Sequence, residues 1–216
     1  MLKDMTEPTR QPPRRRSFWL PVLLVLILAG LGFLAYTRLA NRYQPYGTPL
    51  LSPRPAYDFT LTDNKGQPFR LSSQRGKVVL LFFGFVNCPD VCPTTLLELK
   101  KVYQALTPAE RRRVQVILIS VDPERDTPAV LDKYVTFFNP SFIGLTGTPQ
   151  QIAEVAKPYG VFYQKSEIRS AKEYNVDHTA STYLIDPQGR LRLIYGNGKP
   201  AETGRMVQDV RWALRD

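Results

Sequence analysis

Cysteine and histidine are scarce in this chain of 216 residues, which has two cysteines, Cys88 and Cys92, and one histidine, His178. Iron–sulfur clusters usually need four cysteine thiolates, so a cluster held by one copy of this chain is excluded. Dense stripes of Lys and Arg with interleaved aromatic residues are also missing, although the formal net charge is +10. The sequence therefore predicts no nucleic-acid partner, and most of its charges are expected to lie on a solvated surface.

Charged residues are absent from Ser17 to Thr37, a run long enough to cross a bilayer. No polar stripe marks a water-facing side, which argues against a buried core helix. A cleaved signal peptide is the main alternative, but it would have a shorter apolar stretch followed promptly by an Ala-x-Ala site. A lipoprotein anchor would need a nearby cysteine. We therefore expect residues 17–38 to form an uncleaved transmembrane helix.

This interpretation predicts four segments in a single-pass protein of the cytoplasmic membrane. The basic cluster Arg14–Arg16 flanks the helix, so the positive-inside rule makes residues 1–16 a cytoplasmic tail. Residues 39–55 contain several prolines and are predicted to be a stiff, extended tether. Residues 56–216 are predicted to form one domain on the extracytoplasmic, periplasmic side.

Hydrophobic patterns predict a β-α-β unit in this domain. Val78–Phe83 and Val114–Val121 are continuous apolar runs, which are typical of strands buried on both faces. Apolar residues between Leu96 and Leu106 recur at helical spacing.

Turn and capping residues predict the remaining elements. Turns at residues 63–66 and 186–189 each join two short strands into a hairpin. Thr127-Pro128 and Thr148-Pro149 have the N-cap and N1 residues of helix starts. A last amphipathic helix is expected near residues 201–214. Together with the β-α-β unit, these elements predict an α/β domain of thioredoxin-like outline.

Both cysteines follow the first buried strand directly, in the string NCPDVCP. Pro93 predicts a helix with Cys92 or its neighbour as the cap, whereas Thr95 and Glu98 have the capping-box spacing of a slightly later start. Either boundary places both sulfurs at a helix N-terminus, where the macrodipole and unpaired N–H groups favour the thiolate. A purely structural disulfide would close a very short loop and stabilise little. We expect the pair to act as nucleophile or metal ligand.

Two thiolates suit Cu(I) or Zn(II), and an imidazole would complete a site of two sulfurs and one nitrogen. Functional groups in open α/β sheets collect at the C-terminal edge of the parallel strands. His178 precedes the strand Thr182–Ile185, which a thioredoxin-like fold makes antiparallel, so it is expected at that edge. Asp122, which ends the second buried run, arrives there as well. Ligand chemistry alone leaves copper and zinc open.

Three strings, FGFVNCPDVCP, SVDPERDTP and YNVDHTASTYLIDPQG, closely resemble the Sco/SenC family, and the resemblance extends over residues 56 to 196. It implies a thioredoxin-like fold, one N-terminal membrane anchor, and Cu(I) or Cu(II) bound by Cys88, Cys92 and His178. It also implies a role in building the binuclear Cu(A) centre of cytochrome c oxidase. Asp122 matches an acidic position of the family that can influence the copper site, which makes it a further candidate metal residue.

Three functions remain open. A metallochaperone, which is not an enzyme, would take copper from a donor protein and pass it to the copper-bearing subunit of the oxidase. A thiol–disulfide reductase would use Cys88 and Cys92 as a redox-active pair to keep the oxidase's ligand cysteines reduced. A thiol reductant would then reduce the pair again. A copper or redox sensor is the third. His178 favours the metallochaperone, because a reductase has no evident need of an imidazole.

Overall fold

The computed structural model describes residues 19–40, 43–170 and 173–215. The chain divides into two compact units, residues 1–44 and 45–216. In the first unit, helix α1 covers Trp19–Ala40. The predicted cytoplasmic tail and the first two residues of the predicted anchor lie outside the described residues. Within the ranges that are described, no helix has both the length and the apolar character needed to cross a membrane.

The second unit contains ten β-strands and five α-helices within its described residues: β1 (Thr48–Pro55), β2 (Thr60–Asp63), β3 (Pro68–Arg70), β4 (Val78–Gly84), α2 (Val91–Ala105), α3 (Pro108–Arg111), β5 (Val114–Ser120), α4 (Pro128–Phe138), β6 (Ile143–Thr146), α5 (Pro149–Ala156), β7 (Tyr163–Ser166), β8 (Asn175–His178), β9 (Thr182–Ile185), β10 (Arg190–Tyr195) and α6 (Thr203–Arg215).

Eight of these strands form one sheet in the order β1-β10-β9-β4-β5-β6-β2-β3. At its centre, β4 pairs in parallel with β5 and antiparallel with β9, and β5 pairs in parallel with β6. Every residue of β4 and β5 is buried, so both faces of the central sheet are covered. The predicted β-α-β unit and the antiparallel strand beside it are confirmed.

Local signals located several other elements correctly. The hairpin of β2 and β3 and that of β9 and β10 form where they were predicted. The Thr127 side chain caps α4 by accepting the N–H of Val130, and Thr148 caps α5 in a complete capping box. These caps depend on residues three positions apart in the sequence, so they can be recognised without tertiary information.

The C-terminal part of the predicted tether, Thr48–Pro55, forms strand β1. This strand lies at the edge of the sheet and pairs antiparallel with β10, with Thr48 opposite Ile194 and Pro55 opposite Arg190. Proline is tolerated in an edge strand, where one side of the backbone needs no hydrogen-bonding partner. The composition that suggested a stiff, extended tether therefore fits an edge strand equally well.

Asp209 of α6 fixes the start of this edge strand. Its buried carboxylate accepts the backbone N–H of Tyr46 at 2.9 Å and of Gly47 at 2.8 Å. The hydroxyl of Tyr195 donates to the same carboxylate at 2.8 Å. One side chain thus holds the chain entering the second unit against its last strand and its last helix.

We predict that Asp209→Ala lowers the unfolding free energy by about 3 kcal/mol, because each buried donor left without a partner costs about 1–3 kcal/mol. Chemical denaturation of the purified protein measures the change. Gln208→Ala, at the exposed neighbouring position of α6, is the matched control and should change stability by less than about 0.5 kcal/mol. Equal stabilities of the two variants would contradict this role of Asp209.

Candidate metal centre

The two cysteines lie where β4 passes into α2. Cys88 is in the turn after the strand, and Cys92 is the second residue of α2, which begins at Val91 with Asp90 as its N-cap. Pro93 is therefore the third helical residue, and the helix begins slightly earlier than predicted, with Asp90 as the cap in place of Cys92 or its neighbour. Proline is tolerated in this position because the N–H groups of the first turn have no partner inside the helix. The prediction that both sulfurs lie at a helix N-terminus is confirmed.

The two sulfurs differ in access to solvent. Both thiols are free, but Cys92 is fully buried and Cys88 is half-buried. The backbone N–H of Cys92 donates to Cys88 Sγ at 3.4 Å. An open surface groove borders Cys88 and His178 and is lined also by Pro89, Val91 and Val176. A metal ion or a partner's sulfur arriving from solvent therefore meets Cys88 first.

Gly84, the last residue of β4, makes room for the buried thiol. A β-carbon at this position would lie 2.8 Å from Cys92 Sγ and 2.7 Å from a ring carbon of Phe82. Side-chain carbons do not approach other atoms so closely in folded proteins. The glycine is thus required by the site, although no spacing in the sequence pointed to it.

His178 is brought to the cysteines as predicted, at the edge where the antiparallel strand β9 begins. It ends β8, and its Nε2 lies 3.4 Å from Cys92 Sγ. Its Nδ1 lies 3.2 Å from the backbone carbonyl oxygen of Thr179, which can only accept a hydrogen bond. Nδ1 therefore carries a hydrogen, and Nε2 is the ring nitrogen that faces the sulfur. The rings of Phe82 and Phe85 stand edge-on to the imidazole, with centroids 6.2 and 5.7 Å away.

The sulfur atoms of Cys88 and Cys92 and a ring nitrogen of His178 lie within 4.8 Å of one another. In the described part of the chain, no further Cys, His, Asp or Glu joins this group. Two soft sulfurs with one imidazole nitrogen are a donor set that fits a copper or zinc ion. The structure therefore brings together three of the four predicted metal residues.

Asp122, the fourth, does not lie among these ligand atoms. Its carboxylate is 2% exposed and is engaged elsewhere: one oxygen accepts the hydroxyl of Tyr174 at 2.7 Å, and the other accepts the Nε–H of Arg125. Its backbone N–H donates to Ser120 Oγ at 3.0 Å. Asp122 follows the parallel strand as predicted, but its side chain binds the neighbouring hairpin instead of joining the sulfurs.

Hydrogen bonding makes the two cysteines chemically unequal. The hydrogen bond from the Cys92 thiol, with further ones from His178 and from backbone N–H groups, lowers the pKa of Cys88 to about 4 against the opposing effect of burial. The pKa of Cys92 is raised, because its thiol donates to Cys88, is buried and lies beside negative charge. At neutral pH the metal-free pair is therefore a Cys88 thiolate beside a Cys92 thiol.

Asp126 supports the cysteine loop and was not recognised from the sequence. Its fully buried Oδ2 accepts the backbone N–H of Val86 at 3.0 Å and the hydroxyl of Ser120 at 2.6 Å. The carboxylate thus ties the segment leading to Cys88 to the end of β5. Burial, with the nearby charge of Asp122, raises the pKa of Asp126 to about 6 despite these hydrogen bonds. It lies within the SVDPERDTP string, but no spacing rule marks it as a support for Val86.

Comparison with known proteins identifies a family to which this chain is similar. Its model, SCO1/SenC, matches residues 51–215. The mitochondrial SCO2 homologue of Mus musculus is 39% identical over 155 residues, which cover 71% of this chain and 60% of that protein. The matched region is thus less than two thirds of that relative's length.

Two solved structures are similar to this chain over most of its length. Apo Sco1 from Thermus thermophilus has a TM-score of 0.73 and 53% identity, covering 80% of this chain and 98% of that one. ScoI of Arabidopsis thaliana, solved with copper bound, has a TM-score of 0.68 and 34% identity, covering 75% of this chain and 99% of that one. The predicted thioredoxin-like α/β fold is confirmed.

We predict that Asp126 makes stability depend on pH. Its pKa rises from an ordinary 3.8 to about 6 on folding, so the folded protein keeps this proton after the unfolded chain has lost it. The neutral carboxyl therefore stabilises the fold fully below about pH 3.8, and this contribution is lost as the pH rises to about 6. The loss corresponds to about 3 kcal/mol.

Asp126→Asn removes this titration and keeps one oxygen as acceptor. Between pH 4 and 7 the unfolding free energy of the wild type should fall relative to that of the variant, measured by denaturant titration at each pH. Parallel pH profiles of the two proteins would show that Asp126 has an ordinary pKa.

Proposed function

This chain belongs to the SCO1/SenC family, and from that premise we propose that it is a copper metallochaperone for the Cu(A) centre of cytochrome c oxidase. The observation that carries the proposal is the convergence of Cys88, Cys92 and His178, whose ligand atoms lie within 4.8 Å of one another. Two thiolates and one imidazole suit three-coordinate Cu(I), and they also suit Cu(II) with a further oxygen ligand.

Copper is favoured over zinc by the number of ligands. Structural zinc sites are four-coordinate, and the described residues supply three ligand atoms at this centre. Among the relatives, ScoI of Arabidopsis thaliana binds copper in its solved structure. In this chain copper is the cargo, received from a donor protein and passed to the copper-bearing subunit of the oxidase.

The inequality of the cysteines suits a site that must both accept and release its cargo. Cys88 is an accessible thiolate and binds incoming copper first. Cys92 has a raised pKa and gives up its proton only as the metal binds. When a partner's ligands draw the copper away through the open groove, Cys92 recovers that proton. Return of the proton stabilises the emptied site and so favours transfer.

A thiol–disulfide reductase is the second candidate, and the accessible Cys88 thiolate beside a buried Cys92 thiol favours it. Cys88 would attack a partner's disulfide, forming a mixed disulfide and releasing one partner thiolate. Cys92, after losing its proton, would attack Cys88 Sγ and release the second partner thiolate. The resulting Cys88–Cys92 disulfide would be returned to two thiols by a thiol reductant. This chemistry uses both sulfurs and does not need His178 as a ligand.

We predict that His178→Ala separates the two functions. It should weaken copper binding at least about 10-fold, the loss typical when even an outer partner of a metal ligand is removed. It should also impair Cu(A) assembly in a strain lacking this protein and grown at low copper. Exchange of the cysteine pair with a disulfide reagent should remain, because that reaction needs only a thiolate and a leaving group.

Cys88→Ser is the control, because it removes the thiolate that both functions need. Full rescue of Cu(A) assembly by His178→Ala, together with no rescue by Cys88→Ser, would reject the metallochaperone and support the reductase. Loss of assembly in both variants, with disulfide exchange retained in His178→Ala, supports copper transfer.

We further propose that the second unit works on the periplasmic side of the cytoplasmic membrane, held by an uncleaved anchor over residues 17–38. This proposal rests on the sequence: the run from Ser17 to Thr37 carries no charge, and Arg14–Arg16 flank it. Such an arrangement would keep the copper site beside a membrane-bound oxidase.

From this topology we predict that protease added to cells stripped of their outer barrier digests the second unit. Carbonate washing of the membranes should leave the undigested chain in the membrane pellet. A cytoplasmic protein examined in the same cells controls for lysis. Protection of the second unit in intact stripped cells would reverse the proposed topology.

A further inference from the structure

The hairpin that carries His178 is attached to the second unit in an unusual way. Among the residues that the structure describes, its strands β7 and β8 pair only with each other, in a two-stranded sheet separate from the eight-stranded one. An isolated two-stranded hairpin has marginal stability in water. Cys92, by contrast, lies in the first turn of a helix packed in the core. The imidazole is therefore the ligand whose position depends most on contacts outside its own strands.

Tyr174, immediately before β8, makes such contacts with the loop between β5 and α4. Its hydroxyl donates to Asp122 Oδ1 at 2.7 Å, and Arg125 donates through Nη1 to the Tyr174 carbonyl oxygen at 2.9 Å. The guanidinium carbon of Arg125 also lies 3.7 Å from the centre of the Tyr174 ring. Arg125 in turn pairs with Asp122. The three residues thus form one closed set of contacts, which we call the tyrosine clamp.

The other strand of the hairpin reinforces this clamp. Lys165 of β7 lies 4.5 Å from the centre of the Tyr174 ring and pairs with Glu124 of the same loop at 2.7 Å. The ion pair is partly exposed and contributes little by itself. The Tyr174 ring and Asp122, however, are each less than a tenth exposed, so their hydrogen bond is shielded from competing water.

We propose that the tyrosine clamp holds the His178 ring beside the sulfur of Cys92, which makes Tyr174, Asp122 and Arg125 positioning residues. The consequence for copper binding rests on the proposed function, whereas the position of the ring can be observed without metal. Because the clamp contacts the hairpin and not the cysteines, its loss should displace the imidazole and leave the thiol pair unchanged. Asp122 thus helps to position His178 through its bonds to Tyr174 and Arg125, although it is not itself among the ligand atoms.

The test compares Tyr174→Phe with Tyr195→Phe in the full chain. Each change removes a tyrosine hydroxyl that donates to a buried carboxylate, Asp122 at 2.7 Å in the first and Asp209 at 2.8 Å in the second. Tyr195 belongs to β10 and its carboxylate partner to α6, so its variant controls for lost stability alone. Since His178 is the single histidine of the chain, its ring signals in a nuclear magnetic resonance spectrum are unambiguous.

In the metal-free protein, Tyr174→Phe should shift or broaden the His178 ring signals, and Tyr195→Phe should leave them as in the wild type. In a competition with a Cu(I) chelator, Tyr174→Phe should bind copper about 10-fold more weakly, as expected for loss of an outer-shell contact. Exchange of Cys88 with a disulfide reagent should persist, because the Cys92 thiol and the helix N-terminus still stabilise the Cys88 thiolate. Arg125→Gln, which removes the bond to the Tyr174 carbonyl, should move the ring signals in the same way.

Unchanged ring signals in both clamp variants would overturn the proposal. So would equal changes in Tyr174→Phe and Tyr195→Phe, because the effect would then follow from stability alone. The two proposals can fail separately. If the wild type takes up no Cu(I) but Tyr174→Phe still displaces the ring signals, the proposed copper function is rejected and the clamp is supported.

Discussion

The antiparallel pairing of β9 with β4 is the contact on which the site depends. It sets Phe82 opposite Thr182, so the start of β9 lies at the edge where β4 ends. The cysteines follow β4, and the histidine precedes β9 by a few residues. Ligands about 90 residues apart in the sequence therefore meet at one edge of the sheet.

The different burial of the two cysteines determines their protonation at this edge of the sheet. Cys92 and Cys88 are four residues apart, but one is enclosed by β4, α2 and the Phe82 ring while the other borders an open groove. The enclosed thiol keeps its proton and donates it to the accessible sulfur, which stays a thiolate. Such a pair can attack a disulfide or bind a soft metal. The imidazole nitrogen 3.4 Å from Cys92 Sγ adds a third donor atom for the second use.

The loop between β5 and α4 supports both halves of the site through two buried carboxylates. Asp126 accepts the N–H of Val86 in the cysteine loop, and Asp122 accepts the hydroxyl of Tyr174 in the histidine hairpin. Burying a carboxylate is costly unless hydrogen bonds compensate. Asp122 accepts bonds on both oxygens, whereas the bonds to Asp126 offset its burial only in part, since its pKa is still raised to about 6.

The sequence by itself determined the features that depend on near neighbours in the chain. The apolar runs of β4 and β5, the Thr-Pro helix starts and the cysteines at a helix N-terminus all follow from patterns a few residues long. His178 was placed by combining such patterns with the rules for parallel strands. Only the tertiary structure decided what a polar group binds when its partner lies tens of residues away. Asp122 and Asp126 look alike in the sequence, yet one meets Tyr174 and the other Val86. The prolines of β1 likewise suggested a stiff, extended tether and not a strand paired with β10, because local composition carries no information about a partner strand distant in the sequence.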